Sequence, residues 1–154
     1  MKILIKYSHG LGDVIALTPQ LRYFHQQGHT VDLLVRGEVV GSCLLNNCPY
    51  VRHINVIRNP WEAEDYEKVE AGNVALLETI STYDRRINVD HKDIPEDILK
   101  SKFNSIQCGI TEDIDMKKEV FISDANMRHV IEEVWMGNHI MPYNFVHTLI
   151  VNHP

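Results

Sequence analysis

The first 24 residues constrain the fold most strongly, because a short apolar run, a glycine-containing turn and an amphipathic stretch follow one another directly. The apolar run at residues 3–5 begins almost at the first residue, and it is typical of a strand buried on both faces of a parallel sheet. Gly10 and Gly12 predict a sharp turn that leaves room for a ligand to approach the main chain. Apolar residues then recur at intervals of three and four, which predicts a helix packed on the sheet (Val14, Leu17, Leu21 and Phe24).

Asp13 lies at the exit of this turn, where a carboxylate has two alternative roles. It can be the N-cap of the helix, accepting a hydrogen bond from the first helical turn. It can also be a base that faces a substrate hydroxyl in the crevice above the strand ends. The two roles are compatible, since one oxygen can bond the helix while the other faces the crevice. The helix start also offers N–H groups and a partial positive charge, which favour a phosphate or carboxylate ligand.

The following residues continue an alternation of strands and helices. Residues 29–36 predict a second strand, residues 38–45 a short helix and residues 52–57 a third strand. Within the first helix, either Thr18 caps a fresh helix that has Pro19 in its first position, or Pro19 kinks a continuous helix. The β-α-β-α-β order predicts right-handed crossovers and a Rossmann-like, doubly wound parallel sheet in a single α/β domain.

The pattern is less regular from residue 58 onward. Residues 71–82 predict a helix, and residues 86–89 predict a short strand. Residues 94–107 predict a helix with four apolar residues on one face (Ile98, Leu99, Phe103 and Ile106).

The carboxy-terminal part predicts two further elements, a helix that begins at Ser123 or Asp124 and a strand at residues 143–151. We expect residues 1–142 to form the Rossmann-like domain. Residues 143–154 either close its sheet or begin a second, missing domain.

Composition excludes several classes of protein. A net charge of −6 and an isoelectric point near 5.8, with scattered basic residues, argue against nucleic acid as a partner. No apolar run is long enough to span a bilayer and no signal-peptide pattern is present, so we expect a cytoplasmic protein without a transmembrane segment. The chain has three cysteines, and they lack CxxC spacing (Cys43, Cys48 and Cys108). We therefore expect no disulfide framework and no metal site at the cysteines.

The Gly10–Leu11–Gly12 turn partly matches the dinucleotide-binding fingerprint. Ile15 occupies the position of the third glycine, and the second strand ends in Arg36, where an NAD-binding domain has an acidic residue for the ribose. Both departures argue against an NAD-dependent oxidoreductase, and we expect no cofactor.

Three segments together resemble the amino-terminal half of the heptosyltransferase-like glycosyltransferases, family nine of the sugar transferases. They are MKILIKYSHGLGDVIALTPQLRYF at residues 1–24, VDLLVR at residues 31–36 and NNCPYVRHINVI at residues 46–57. Tyr83–Asp84 and the residues up to His91 are similar to the family's fourth strand, although more polar. The resemblance covers roughly the first 60 residues well.

This resemblance implies half of a two-domain GT-B enzyme, whose amino-terminal domain binds a sugar or glycolipid acceptor. A second domain or chain would bind the nucleotide-sugar donor, and transfer would proceed with inversion and without an obligatory metal. The family's proposed base is the aspartate that corresponds to Asp13.

The chain stops where the donor domain would begin, so we expect a truncated or split enzyme that is inactive alone. Its expected place is the cytoplasm, near a membrane-bound glycolipid. The alternative is a non-catalytic α/β module that holds a phosphorylated sugar or nucleotide for a partner chain.

Other polar residues near the strand ends are candidates for binding the acceptor or an anion. Lys6 and Arg36 end the first two strands, and they either face an anionic acceptor or are simply solvated. Asp90 and His91 follow a strand at the edge where open α/β sheets bind ligands. Trp61 is a candidate platform for stacking on a sugar. The turn after the first strand completes this set (Ser8, His9, Gly10, Leu11 and Gly12).

Overall fold

The computed structural model describes residues 1–57, 74–75, 80–91 and 94–122. The chain alternates strands and helices through most of these residues. In order they are β1 (Lys2–Tyr7), α1 (Leu11–Ile15), α2 (Thr18–Gln26), β2 (Thr30–Arg36), α3 (Gly37–Gly41), β3 (His53–Ile57), β4 (Val74–Ala75), a 3₁₀ turn (Ile80–Thr82), β5 (Arg85–Val89) and α4 (Lys100–Gln107).

The strands form one sheet in the order β4-β3-β2-β1-β5. Strands β3, β2, β1 and β5 are parallel to their neighbours, and β4 pairs with β3 in the antiparallel sense at one edge. Strand β1 lies between β2 and β5 and is fully buried from Ile3 to Tyr7, which is typical of a parallel sheet covered on both faces. The predicted α/β, Rossmann-like parallel sheet is confirmed.

The first helical stretch is divided into α1 and α2. Thr18 is the first residue of α2 and Leu17 is its N-cap, so a fresh helix begins here, but Thr18 does not cap it. The Thr18 hydroxyl instead donates to the Ile15 carbonyl (2.7 Å) and accepts from the Glu119 backbone N–H (2.9 Å). Pro19 lies in the first turn, where its missing N–H costs no helical hydrogen bond.

Two other predicted helices differ from the structure. Residues 71–82 include the short edge strand β4 and the 3₁₀ turn, because the unpaired edge of β3 offers hydrogen bonds that a short apolar segment can take. The helix predicted at residues 38–45 ends as α3 at Gly41. Cys43 has a φ of 60°, and this left-handed conformation stops a right-handed helix.

The prediction for residues 94–107 was wrong in both its start and its buried face. Helix α4 begins only at Lys100, after an extended Leu99. Leu99 and Ile106 are exposed (80% and 55%), while α4 buries three polar residues (Ser101, Asn104 and Ser105). The reason lies in α2, where the buried Gln20 side-chain amide donates to the Ser101 carbonyl and the Ser105 hydroxyl (2.8 Å each).

A buried carboxylate in β2 joins this strand to the start of β3 and to the loop before β5. Asp32 of β2 accepts hydrogen bonds from the Arg52 guanidinium (3.1 and 2.7 Å), the His53 backbone N–H (3.1 Å) and the Tyr83 hydroxyl (2.5 Å). Burial on its own raises the pKa of this carboxyl, but the bonds from Arg52 and Tyr83 outweigh it and the pKa is lowered. Asp32 is therefore ionised.

Several of the sequence-based predictions concern residues that the structure does not describe. Those for Trp61, for the helix after Ser123 and for the strand at residues 143–151 lie outside them, as does the domain boundary near residue 142. Over the described ranges, no helix is long and apolar enough to cross a membrane. All three cysteines are free thiols, and burial raises the pKa of Cys48 to about 11.

Candidate functional site

The carboxyl ends of β1 and β5 lie side by side, because the two strands pair in parallel with Tyr7 opposite Val89. The loop after β1 therefore meets the loop after β5. The His91 backbone N–H donates to His9 Nε2 (2.9 Å), and the two imidazole rings stack with centroids 4.8 Å apart. The Tyr7 ring contacts both imidazoles edge-on, at 5.3 and 5.5 Å.

Asp13 joins this group from α1. Its carboxylate forms an ion pair with Lys100 Nζ, and its Oδ1 lies 4.0 Å from His91 Nδ1. The N-cap interpretation of Asp13 is wrong: Gly10 occupies the N-cap position, and no side chain caps α1. The Asp13 side chain is 23% exposed, so solutes can reach it.

We call Tyr7, His9, Asp13, His91 and Asn104 the strand-end cluster. Its hydrogen bonds determine where the ring hydrogen of His91 lies. The Asn104 amide nitrogen donates to the Ala16 carbonyl (3.0 Å), so the Asn104 Oδ1 atom is the one that faces His91 Nε2 (2.6 Å). Oδ1 can only accept, and His91 Nε2 therefore carries the hydrogen. In the neutral ring Nδ1 is left with a lone pair, and it has no hydrogen-bond partner among the described residues.

His9 is held as a neutral ring. Burial lowers its pKa first, and the neighbouring His91 lowers it further, while Asp90 and Asp13 act in the opposite direction. Its Nε2 accepts the His91 backbone N–H, so the hydrogen of neutral His9 lies on Nδ1. The Asp90 carboxylate lies 3.5 Å from the same Nε2 atom.

Tyr7 supplies a hydroxyl that is deeply buried. Its side chain is inaccessible, and the hydroxyl has no partner within the part of the chain that the structure describes. Burial, followed by the negative charge of Asp13, raises the pKa of Tyr7. The phenol therefore stays protonated and can donate a hydrogen bond.

Helix α4 positions this site with three residues spaced at i, i+4 and i+7. Lys100 pairs with Asp13, Asn104 bonds His91, and the Gln107 amide exchanges two hydrogen bonds with the Asp90 backbone (3.0 and 2.6 Å). Sequence reasoning missed these residues and Tyr7. Lys100, Asn104 and Gln107 form a polar stripe at helical spacing, whereas the predicted helix was oriented by its apolar residues.

The glycine turn differs from the prediction in its backbone. Gly10 has a φ of −76°, which any residue can adopt, so the sharp turn does not require glycine there. A β-carbon added at Gly10 or Gly12 would meet no described atom within 4 Å. Ser8 lies half-buried in the loop, Leu11 begins α1, and α1 has only five residues. The expectation of an anion at its start stays a prediction.

Lys6 and Arg36 lie in different environments. Lys6 is fully buried, so the alternative of a solvated strand end is wrong for this residue. Arg36 is partly exposed at the end of β2, where its guanidinium contacts Glu38 (2.7 Å). The structure thus brings His9, Asp13 and His91 together, with Asp90 beside them.

A hollow of about 650 Å³ lies along the start of α4 and shares Lys100 with this site. Lysines and apolar groups share its wall, among them Leu99, Lys100, Met116 and Lys118. A smaller cavity of about 310 Å³ lies at the opposite, amino-terminal edge of the sheet, against His25, His29 and Arg52. In the described ranges, no group of three or more His, Cys, Asp or Glu side chains has the geometry to hold a metal ion.

No protein-family model and no curated protein sequence matches the chain. Among solved structures, it is similar to the crystal structure of a family 9 glycosyl transferase from Veillonella parvula DSM 2008, with a TM-score of 0.55 and 11% sequence identity. The match covers 92% of this chain and 50% of that one, so this chain spans about half the length of the bacterial protein. At this identity the similarity shows a common fold.

Proposed function

We propose that this domain is the acceptor-binding half of an inverting, nucleotide-sugar-dependent glycosyltransferase of the heptosyltransferase-like family. One observation carries the proposal: the partly exposed Asp13 carboxylate lies beside the unpaired His91 Nδ1 at the carboxyl edge of the sheet. Open α/β sheets bind their ligands at this edge. The fold shared with half of a family 9 glycosyl transferase supports the same conclusion.

In the proposed reaction, Asp13 orients an acceptor hydroxyl and removes its proton. The hydroxyl oxygen forms a bond to the anomeric carbon as the bond from that carbon to the diphosphate oxygen breaks on the opposite face. The hydroxyl becomes acidic only as the new bond forms, so a carboxylate can take the proton late. Lys100 keeps the Asp13 carboxylate in place through their ion pair.

The donor would be bound by a second domain or chain. Stabilising the charge that develops on the leaving diphosphate is often the largest part of catalysis, and it requires donor-side groups. We therefore expect this domain alone to transfer sugar at a negligible rate.

The hollow beside α4 fits an acceptor that has both anionic and apolar groups. Three lysines and one acidic residue line it (Lys100, Lys102, Lys118 and Asp97), so its net charge is positive, and Leu99 and Met116 provide apolar surface. A glycolipid acceptor combines these properties, and for such an acceptor we propose that the domain works in the cytoplasm close to a membrane surface.

The test is reconstitution of sugar transfer from two polypeptides. This chain is mixed with the separately expressed donor-binding domain of a family-nine glycosyltransferase, a nucleotide sugar and a panel of glycolipid acceptors, and released nucleoside diphosphate is measured. Transfer that needs both polypeptides supports the proposal. Acceptor binding without turnover in every combination would contradict it and favour a non-catalytic sugar-binding module.

A further inference from the structure

His91 has a hydrogen-bonding atom that the fold leaves unused. The side chain is only 7% exposed, and its Nδ1 is buried without a hydrogen-bond partner among the described residues. The nearest acidic group, Asp13 Oδ1, is 4.0 Å away, which is beyond hydrogen-bond distance. Buried polar atoms in native proteins are nearly always paired, so an unpaired one at a ligand-binding edge indicates a partner that arrives from outside.

The ring of His91 is fixed in orientation as well as in tautomer. Asn104 is fully buried and holds Nε2 through its own bond to the Ala16 carbonyl. His9 stacks on one face of the ring, and Tyr7 packs edge-on against it. Nδ1 therefore presents its lone pair toward the Asp13 side without needing to reorganise when a ligand binds.

Two neighbouring hydrogen-bond acceptors are best satisfied by a ligand that has two hydrogen-bond donors. The Asp13 carboxylate and the His91 Nδ1 lone pair both accept hydrogen bonds, whereas one hydroxyl group donates only one. Hydroxyls on adjacent carbons lie about one hydrogen-bond length apart, so a 1,2-diol can reach both acceptors at their observed separation of 4.0 Å.

We propose that His91 is the second acceptor of the site: Asn104 holds the ring hydrogen on Nε2, and Nδ1 binds the hydroxyl next to the one that faces Asp13. The site thereby selects ligands that carry two neighbouring hydroxyl groups. In this scheme His91 contacts the ligand, and Asn104 is a positioning residue. The inference rests on the proposed function for its choice of ligand class, but its predictions can be measured without the donor.

The first experiment reads the tautomer by two-bond ¹H–¹⁵N correlation spectroscopy of the ¹⁵N-labelled chain. We expect the pattern of an Nε2–H imidazole for His91 and a mixture of tautomers in Asn104→Leu. The exposed His25 serves as an internal control, because its ring should give the same pattern in both proteins. An Nδ1–H pattern for wild-type His91, or no change in Asn104→Leu, would overturn the proposal.

The second experiment compares two probes, cis-1,2-cyclohexanediol and cyclohexanol, with the His91 Nδ1 resonance as the readout. We expect a saturable shift with the diol at about tenfold lower concentration than with the mono-alcohol, which is the effect of one additional hydrogen bond. In His91→Phe, which retains an aromatic ring for stacking, binding is followed by backbone amide shifts and the preference should disappear. Equal affinities in the wild-type chain, or no saturable shift with either alcohol, would refute the second-acceptor role.

The two proposals fail in distinguishable ways. A diol preference without reconstituted transfer would retain the role of His91 and remove the transferase function. Reconstituted transfer without a diol preference would retain the transferase function and remove the role of His91.

Discussion

The Asp13 carboxylate and the Lys100 ammonium form an ion pair that joins the turn after β1 to helix α4, 87 positions later in the chain. This contact brings the first βα unit and the last described helix to the same edge of the sheet. Lys100 is about half exposed, so water screens the pair strongly. We therefore expect the ion pair to fix the position of the Asp13 carboxylate more than it stabilises the fold.

Replacing Lys100 should therefore affect function more than stability. We expect Lys100→Gln to reduce reconstituted transfer about tenfold and to change the free energy of unfolding by less than about 1 kcal/mol. Urea denaturation and the transfer assay measure the two effects. Lys117→Gln is the control, since the exposed Lys117 side chain does not line the hollow beside α4. Unchanged transfer, together with a loss of unfolding free energy above about 1 kcal/mol, would argue against this role.

Asp32 should dominate the stability of the sheet. Asp32→Asn removes the buried negative charge that accepts from Arg52 and Tyr83, and because the Arg52 side chain is 36% exposed and stays solvated, we expect a loss of about 1.5–3 kcal/mol. Chemical denaturation of this variant and of Asp113→Asn, whose side chain is fully exposed, gives the comparison. A loss below about 1 kcal/mol would show that the Asp32 bonds contribute little.

The same residue predicts an acid-sensitive stability. The pKa of Asp32 is lowered in the folded chain, so folding favours its ionised form. Its contribution is present above the unfolded pKa, about 3.9, and is lost as the pH falls through the lower folded value. Between pH 4 and pH 2 the wild-type chain should lose more unfolding free energy than Asp32→Asn, as measured by urea titrations at each pH. Parallel pH dependences in the two proteins would contradict this.

Tyr7 and Tyr83 should respond oppositely to loss of the hydroxyl. Tyr7→Phe removes an unpaired buried group, so we expect unchanged stability or a gain of up to about 1 kcal/mol. Tyr83→Phe removes a 2.5 Å bond to the charged Asp32, and it should cost about 1.5–3 kcal/mol. Thermal unfolding of the pair measures both changes, and a Tyr7→Phe loss as large as that of Tyr83→Phe would mean that the Tyr7 hydroxyl is bonded after all.

Much of the fold was predictable because the central strands are continuous apolar runs. Strands β2, β3 and β5 lie within one residue of their expected bounds, and β1 extends two residues beyond the apolar run at residues 3–5. The edge strand β4 and the polar interface of α4 were missed, since both depend on partners distant in sequence. Gln20 bonds the Ser101 carbonyl and the Ser105 hydroxyl across 81 and 85 positions, and no local pattern contains that information.

The site was predictable in part for a similar reason. Parallel strands end at one edge, so His9, Asp13, Asp90 and His91 could be placed together before the structure was known. The part played by Asn104 could not be predicted, because it depends on hydrogen bonds to His91 and to the Ala16 carbonyl, which are distant in sequence.

The rate of sugar transfer by Asp13→Asn, measured in the two-polypeptide assay against wild type and Asp113→Asn, tests the central claim most directly. The amide retains the size of the side chain but cannot take a proton. We predict that transfer falls by about 10²–10⁴-fold, while Asp113→Asn transfers at the wild-type rate. An Asp13→Asn rate within a factor of about three of wild type, less than the loss of one hydrogen bond, would contradict the assignment of Asp13 as the base.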